Sequence, residues 1–324
     1  MILSIIALGI LILVHEYGHF RAARWFGVAV PEFSVGFGPR LCGWSHKGTA
    51  YSLRAIPLGG FVKTDDSLLE RPARQKIVVS LAGPAANLIF AYLAFTIAAL
   101  VGIPQLTTKI GEVVAGYPAA AVGIRPADRV VAVDGKKVSN WSEMIALIDQ
   151  GRDRNIVLTV QTGQGQLTHT LRPEIREGRG VIGVKASGES FPLKYGAGAF
   201  SEGLRLTWGN ISSSTGMFLK LFSGQTMKNM AGPLYIAKAG ADQSHLGLMA
   251  LIHFMGIISA NLVVLNLIPI PVLDGGTVLL ILWERIFRRP LHEKVQRVLT
   301  ALSLGLIVSL MLYTLLNDIS RFVR

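Results

Sequence analysis

Four stretches of this chain are long and apolar enough to cross a lipid bilayer, and they limit its fold more than any other feature. They run from Met1 to about Phe20, from Ile77 to Val101, from Leu248 to Leu282 and from Val298 to Leu316. A membrane-spanning helix needs about 20 largely apolar residues. The third stretch exceeds that length and contains Pro269 and Pro271, so we expect a broken helix there.

The composition favours a membrane protein and argues against two other interpretations. Of the 324 residues, 51% are hydrophobic and 16% are charged, whereas soluble domains carry about 25% charged residues. The net charge of +12 comes from basic residues that lie between the apolar spans, so we do not expect nucleic-acid binding. Because Cys42 is the only cysteine, an intramolecular disulfide and a cysteine-built zinc site are both excluded.

The basic loops predict the orientation of the chain in the membrane. Lysine and arginine residues are concentrated between the first two spans and between the last two, and basic loops of this kind stay in the cytoplasm. Both chain ends and the long segment between the second and third spans are then expected on the outer side. That segment is also basic, but long segments are translocated largely regardless of charge.

Residues 108–187 of the outer segment predict an inserted α/β domain. Strand patterns alternate with helical ones, and Asn140 with Glu143 forms the capping pair of one helix. The run YPAAAVGIRPADRVVAVDGKKV resembles a bacterial PDZ domain, although a generic β-rich domain is the alternative. Residues 188–247 follow as an amphipathic, membrane-associated linker, in which residues 204–222 suit a membrane surface and MAGPLYIAKAG suits a re-entrant segment.

The motif HEYGH carries the strongest chemical signal. On a helix, positions i and i+4 share a face, so His15 and His19 can hold one zinc ion, with Glu16 beside the attacking water as general base. Two surface histidines with an ion-paired glutamate would give the same pattern. Here the motif ends an apolar stretch, and ionisable groups at membrane depth point to function.

A catalytic zinc ion usually takes three protein ligands, so a third one must lie elsewhere in the chain. Asp274, in NLIPIPVLDGG, is the best candidate because it is an acid at membrane depth beside helix-breaking prolines. The alternative is an acid at a helix end on the membrane surface. His253, within the third span, is a further candidate, although a packed or hydrogen-bonded histidine is the commoner situation.

Three asparagines lie in the same spans. Asn261 and Asn266 belong to the third span, and Asn87 belongs to AGPAAN in the second. Each side chain can donate and accept hydrogen bonds, so each is a candidate for binding substrate backbone or stabilising an oxyanion. Hydrogen bonding between helices is an equally good explanation.

Together these residues resemble the site-2 protease family of intramembrane zinc metalloproteases, and most closely its bacterial regulators of sigma-E. HEYGH, AGPAAN and NLIPIPVLDGG match the family's span motifs in order, while GFGPRL and IPLGGFVK match its membrane-associated β-hairpin region. The resemblance implies a polytopic α-helical membrane protein with about four transmembrane helices, that hairpin region and one inserted PDZ domain. The expected domains are an N-terminal membrane core (1–107), the PDZ domain (108–187), the linker (188–247) and a C-terminal membrane core (248–324).

The resemblance also implies the roles of individual residues. It makes His15, His19 and Asp274 the ligands of Zn²⁺ and Glu16 the catalytic base, and it gives Asn266 and Asn261 a role in substrate binding. A substrate helix must unwind before cleavage, because its carbonyls are held in helical hydrogen bonds. The hairpin near Gly59 and Gly60 is expected to hold the extended segment as an added strand.

The implied activity is intramembrane proteolysis in a bacterial inner membrane, with the PDZ domain on the periplasmic or extracellular side. The expected substrates are single-span proteins already trimmed by an upstream protease, such as anti-sigma factors or leftover signal peptides. Two rival hypotheses remain open at this point. One is a zinc protease of external substrates that is merely tethered by its spans, and the other is a metal transporter or PDZ scaffold without catalysis.

Overall fold

The computed structural model describes residues 2–176, 178–221 and 232–323. Its helices are α1 (Ile2–Trp25), α2 (Ser67–Glu70), α3 (Ala73–Val101), α4 (Pro118–Ala121), α5 (Trp141–Gln150), α6 (Ala199–Leu221), α7 (Pro233–His245), α8 (Leu248–Asn266), α9 (Asp274–Phe287) and α10 (Glu293–Val323). Its strands are β1 (Glu32–His46), β2 (Thr49–Lys63), β3 (Ile103–Leu106), β4 (Ile110–Val113), β5 (Arg129–Val133), β6 (Lys136–Lys137), β7 (Ile156–Thr162), β8 (Gly165–Leu171), β9 (Glu174–Arg176), β10 (Arg179–Val181), β11 (Val184–Ala186) and β12 (Ser190–Leu193).

The four predicted spans are confirmed as helices long and apolar enough to cross a membrane. They are α1, α3, α8 and the greater part of α10. Helices α1, α3 and α10 extend beyond the predicted limits, because the flanking polar residues continue the helical hydrogen bonding after the apolar stretch has ended. In α1 the helix therefore includes the whole HEYGH motif and the basic residues that follow it.

The predicted break in the third stretch is also confirmed. α8 ends at Asn266, a turn region follows, and α9 begins at Asp274. Gly275 and Gly276 are helical, and a Cβ on either would lie within 2.3 Å of the carbonyl oxygens of Leu267 or Ile270. The two glycines therefore let the turn pack directly on the first turn of α9, which fixes the start of that helix.

The β-hairpin region folds back on itself. A two-residue turn at Lys47 and Gly48, both with positive φ, joins β1 to β2. Residues 32–35 of β1 pair with residues 50–53 of β2 on one side and with residues 60–63 of β2 on the other. The segment 60–63 is therefore an outer segment of this sheet.

The chain divides into two compact units. The first comprises residues 1–100 with 195–324, and the second comprises residues 101–194, which contain the predicted insert. In the second unit β6-β5-β7-β8 form a four-stranded sheet, with α5 and shorter strand pairs beside it. Strands β3 and β12, outside the predicted insert, pair with each other and bring the two ends of this unit together.

The local predictions within the insert hold. Asn140 caps α5 by accepting a hydrogen bond from the Glu143 N–H at 2.9 Å, and Glu143 in turn accepts one from the Ser139 N–H. An Asp-Gly turn follows β5, with positive φ at Asp134 and Gly135. A core of buried side chains that includes Ile110, Met144, Ile156, Leu158 and Val160 joins the sheet to α5.

The predicted linker region forms two helices in the first unit. α6 packs along α8, and its Ser214 hydroxyl donates a hydrogen bond to Asn261 Oδ1. α7 is capped by the fully buried Asp318 of α10, which accepts hydrogen bonds from the Gly232 and Tyr235 N–H groups at 3.0 and 2.9 Å. Phe222, Met230 and Ala231 of the predicted surface and re-entrant segments lie outside the described residues.

Small residues bring α1, α3 and α8 close together around the middle of the first unit. A Cβ on Gly18 of α1 would lie 2.2 Å from the Ala82 carbonyl oxygen of α3. Gly256 of α8 receives the Phe95 ring of α3 in the same way, at 3.0 Å. Close approach of this kind is how membrane helices associate, and it places polar groups of all three helices within reach of one another.

Candidate metal centre

His15, His19 and Asp274 meet at one point. The two histidines lie one helical turn apart on α1, and Asp274 is the first residue of α9. The Nε2 atoms are 3.2 Å from each other, His15 Nε2 is 3.3 Å from Asp274 Oδ2, and His19 Nε2 is 3.4 Å from Asp274 Oδ1. Within the described part of the chain, this is the one group of three such side chains with spacing suited to a metal ion.

The spacing fits zinc. A tetrahedral zinc ion with bonds of about 2.0–2.1 Å separates its ligand atoms by about 3.3–3.4 Å. The Nε2–Nε2 distance of 3.2 Å is close to that value, and each Nε2 has one of the two Asp274 oxygens at a similar distance. Asp274 Oδ2 is also buried without a hydrogen-bond partner among the described residues, as expected for a carboxylate oxygen that has a cation for its partner. Two imidazoles and a carboxylate form a common catalytic zinc set.

One face of α3 packs against both imidazole rings. We call its residues Val79, Gly83 and Asn87, which are spaced by four positions, the α3 stripe. The His19 Nδ1–H donates to the Val79 carbonyl oxygen at 2.8 Å, which leaves the Nε2 lone pair free to face the centre. One turn later, Gly83 makes room for the rings, since a Cβ there would lie 2.2 Å from His19 Nε2. One turn further on, Asn87 Nδ2 lies 3.2 Å from His15 Nδ1.

Glu16 lies at the edge of the cluster, next to the hairpin. It follows His15 directly on α1, within the turn that joins the two histidines. A Cβ on Gly60 of β2 would lie 2.9 Å from Glu16 Cγ and 2.8 Å from the Ser34 carbonyl oxygen. Glycine at position 60 therefore lets the strand backbone approach the glutamate directly.

Gly59 has a different structural reason to be glycine. Its φ is +97°, and a Cβ there would lie 2.4 Å from the Phe37 ring. The positive φ disfavours other residue types, and the ring leaves no room for a side chain. The Gly59–Gly60 pair thus brings an outer segment of the hairpin sheet to the side of the cluster that carries Glu16.

The candidate asparagines and the competing histidine lie in different surroundings. Asn266 Nδ2 is 3.5 Å from His15 Nδ1, so this residue is at the cluster. Asn261 is instead hydrogen-bonded to Ser214 of α6, the interhelical arrangement that the sequence left open. His253 packs edge-on against Phe95, with 5.2 Å between ring centroids, and it is not part of the cluster.

Sequence reasoning did not foresee that Val79 and Asn87 contact the two ring Nδ1 atoms. The signal was present in the register, because positions 79, 83 and 87 are spaced by four residues, as are the two histidines. Two helices that pack side by side with matching four-residue rows place such residues opposite one another. Nothing in the sequence alone indicates that these two rows face each other.

Comparison with known proteins adds the family. Residues 3–310 match the model of peptidase family M50. A protein of Agrobacterium fabrum named as a zinc metalloprotease is 31% identical, over 98% of this chain and 95% of its own length. The regulator of sigma-E protease of Escherichia coli is 28% identical, over 98% of this chain and 97% of its own length.

A third relative, from Campylobacter jejuni, also carries the name zinc metalloprotease and is 31% identical over 99% of this chain and 93% of its own length. The alignment with the Escherichia coli protein runs over 438 positions, more than the 324 residues of this chain, so that relative has additional residues inside the aligned region. The family match and these zinc-named relatives agree with a cluster whose spacing suits a zinc ion. The chain therefore belongs to peptidase family M50, the site-2 protease family of zinc metalloproteases.

Proposed function

We propose that this chain is an intramembrane protease in which His15, His19 and Asp274 bind zinc and Glu16 is the catalytic base. The proposal rests on the meeting of His15 and His19, which lie on the spanning helix α1, with Asp274 at the start of α9. With a rise of 1.5 Å per residue, His15 lies about 20 Å along α1 from its first residue. A hydrocarbon core about 30 Å thick would therefore enclose the cluster.

The chain's own side chains have distinct roles in this proposal. A bound zinc ion supplies Lewis-acid chemistry, which acidifies water and polarises a peptide carbonyl. Glu16 accepts the proton of the attacking water and delivers it to the leaving amine. The Val79 carbonyl keeps the His19 ring oriented through the Nδ1–H hydrogen bond, and Asn266, with its amide beside His15, is placed to donate to a substrate carbonyl.

The hairpin offers a way to present an extended substrate. Residues 60–63 pair with residues 32–35 on one side only, so their other backbone edge can accept a further strand. Because Gly60 packs against Glu16, a strand added there would pass beside the catalytic base. We propose that Gly59 and Gly60 are substrate-binding positions for this reason, and that the hairpin lies in or against the membrane.

We further propose that residues 108–187 form a PDZ domain on the periplasmic or extracellular side. A groove of about 890 Å³ runs between α5 and the β10–β11 segment, with Tyr117, Trp141, Met144 and Ile148 among its lining residues. Grooves between a helix and a strand edge are where PDZ domains take extended peptides. The basic loops before α3 and after α9 support a cytoplasmic location for the opposite side.

The remaining parts of the proposal concern biology. The substrates are single-span membrane proteins trimmed beforehand by an upstream protease, of the anti-sigma-factor or signal-peptide-remnant type, in a bacterial inner membrane. The name of the Escherichia coli relative supports the first type. The cores at 1–107 and 248–324 each supply part of the zinc set, and the linker at 188–247 connects the insert to the second core.

The deciding experiment compares the parent with Glu16→Gln, reconstituted in lipid with a fluorogenic single-span substrate. The variant retains all three proposed ligands, so zinc content should equal that of the parent while cleavage falls at least about 100-fold, as expected for loss of a general base. Glu32→Gln is the matched control, because Glu32 is ion-paired with Arg54 in the hairpin. Full cleavage by Glu16→Gln would disprove the assigned base and revive the scaffold or transporter hypothesis.

A further inference from the structure

Asn87 is the one member of the α3 stripe whose hydrogen bonding is incomplete. Its side chain is fully buried, and its Oδ1 atom has no partner among the described residues. The Nδ2 atom points at His15 Nδ1 from 3.2 Å. The residue is also held firmly in place, because its backbone carbonyl accepts a hydrogen bond from the Ser259 hydroxyl of α8 at 2.8 Å.

The orientation of this amide determines which nitrogen of His15 carries the proton. When Nδ2 faces the ring, it donates to the Nδ1 lone pair, so the proton of a neutral imidazole must sit on Nε2. An Nε2–H cannot bind a metal ion. When the amide is rotated by half a turn, Oδ1 accepts the Nδ1–H instead and the Nε2 lone pair becomes available. Oδ1 is free to do this because no other described group uses it.

We infer that Asn87 is a positioning residue of the zinc centre, whose Oδ1 accepts the Nδ1–H of His15 and so reserves Nε2 for the metal. The inference rests on the proposed ligand set. Val79 performs the corresponding task for His19 with a backbone carbonyl, so α3 orients both histidines from one face. The backbone acceptor is fixed, whereas the side-chain amide can turn between a metal-free and a metal-bound orientation.

The same geometry separates the roles of the two asparagines at His15. Asn266 Nδ2 lies 3.5 Å from Nδ1, at the outer limit for a hydrogen bond, and a ring nitrogen carries one proton at most. Once Asn87 accepts that proton, the Asn266 amide has no function on the ring. Its N–H groups are then available to substrate, in agreement with the role proposed for it above.

The test measures Zn²⁺ affinity of the full chain in lipid nanodiscs, by competition with a chromophoric chelator, together with the visible absorption of the Co²⁺-loaded protein. Asn87→Leu keeps the approximate volume but removes the acceptor, and it should weaken zinc binding by about 10–100-fold, the usual effect of losing an outer-shell partner. Asn87→Asp restores an acceptor oxygen and should bind zinc at least as tightly as the parent. Its Co²⁺ spectrum should match that of the parent, while that of Asn87→Leu should differ.

Two further measurements show through which group Asn87 acts. In a His15→Ala background, where zinc binding is already weak, adding Asn87→Leu should change the affinity by less than about 3-fold, because the two residues form one unit. Thr96→Val, a buried hydroxyl on the same helix whose Oγ1 also lacks a partner among the described residues, should leave zinc affinity unchanged.

Several results would overturn the inference. Parental affinity in Asn87→Leu, equal weakening in Asn87→Asp, or an undiminished Asn87→Leu effect in the His15→Ala background would each do so. Parental zinc affinity in His15→Ala alone would instead show that the ligand set itself is wrong. If Asn87→Leu does not fold, the comparison of Asn87→Ala with Asn87→Asp decides the question, because only the latter has an acceptor.

Discussion

The two units of this chain differ in the kinds of side chains that they expose. In the insert, aliphatic side chains such as Ile156 and Leu158 are fully buried and the charged residues are at the surface. In the helical unit the outer faces are apolar, with Ile2 and Leu302 exposed by 77% and 66%. Asn87, Ser259 and Asp318 are instead completely buried there. Water is the solvent that explains the first pattern, and lipid is the solvent that explains the second.

This inversion explains why the chemistry is concentrated in one unit. A polar group in hydrocarbon is destabilising unless it finds a partner, so the polar side chains of the helical unit collect where they can satisfy one another. The zinc cluster and the Asp318 cap on α7 both follow this rule. In the insert, polar side chains can be hydrated by water and need no protein partner. Its ion pairs, such as Arg154 with Asp134, lie at its exposed turns.

The contrast between the two units would be contradicted most clearly if Asp274, a carboxylate of the helical unit, could be removed without a change in zinc affinity. Asp274→Ala deletes one of three proposed ligands, so zinc affinity should fall by more than the 10–100-fold typical of outer-shell losses, and cleavage should be lost. Metal analysis of purified protein provides the measurement. Asp318→Ala is the control, since it removes a buried acid that caps α7. Unchanged zinc content in Asp274→Ala would require a different third ligand.

A second prediction separates helix stability from function within the helical unit. Gly83→Ala improves helix propensity by about 1 kcal/mol, but its Cβ would collide with His19 Nε2 at 2.2 Å. We expect a sharp loss of zinc binding and cleavage, because the added methyl group must displace the imidazole rings; zinc affinity and cleavage are the measurements. Gly9→Ala on α1, where a Cβ meets nothing within 4 Å, should bind zinc normally. Equal zinc affinity in both variants would contradict the close packing of α3 on the histidines.

Removal of the insert should have a more selective effect. The proposed zinc ligands all belong to the helical unit, and β3 with β12 brings residues 103 and 193 together, so a short glycine-serine linker can replace residues 101–194. If the insert is a size filter, long untrimmed substrates should now be cut. If it recruits substrate, trimmed substrates should be cut more slowly. Cleavage of paired long and trimmed substrates is the measurement, and a folded, zinc-loaded deletion that cuts neither would show that the insert is part of the catalytic machinery.

The smallest expected effect concerns acid stability of the insert. A hydrogen bond from the Val157 N–H, reinforced by Arg154, holds the pKa of the Asp134 carboxyl below its usual value. Because the pKa is lower in the folded protein than in the unfolded chain, the ionised carboxylate stabilises the fold at pH values above the unfolded pKa. This contribution is lost as the pH falls below about 4. In Asp134→Asn, the free energy of unfolding of the insert should therefore fall less steeply as the pH is lowered, as measured by hydrogen exchange in the full chain. Asp153→Asn, at a highly exposed acid, should not.

The sequence predicted what depends on local pattern and missed what depends on long-range packing. Apolar length located the four spans, and the i, i+4 spacing placed His15 and His19 on one face, because both follow from helix geometry. Asp274 could be nominated because a carboxylate at membrane depth is unusual. The contact between Asn87 and His15 joins residues 72 positions apart, and no local rule specifies such a pairing.

The hairpin region and the turn before α9 show the same limit. The hairpin was predicted from the resemblance of GFGPRL and IPLGGFVK to a family region. The pairing that places residues 32–35 between two other segments depends on packing of the whole sheet. Gly275 and Gly276 follow Asp274, and glycine by itself indicates a flexible chain. In the structure they tighten it, since their missing side chains let the turn at Ile270 touch α9.

The distance along the chain between the parts of the zinc cluster affects how the protein is made. Asn266, which touches His15, lies 251 residues beyond it, and Asp274 comes later still. At ribosomal speeds of about 5–20 residues per second, Asp274, the proposed third ligand, is synthesised on the order of 10–50 s after α1. During that interval the nascent chain has two of its three ligands. A chain built in this way has its full set of proposed ligands only after α9 has been synthesised, so a nascent chain that ends before α9 would lack the third ligand.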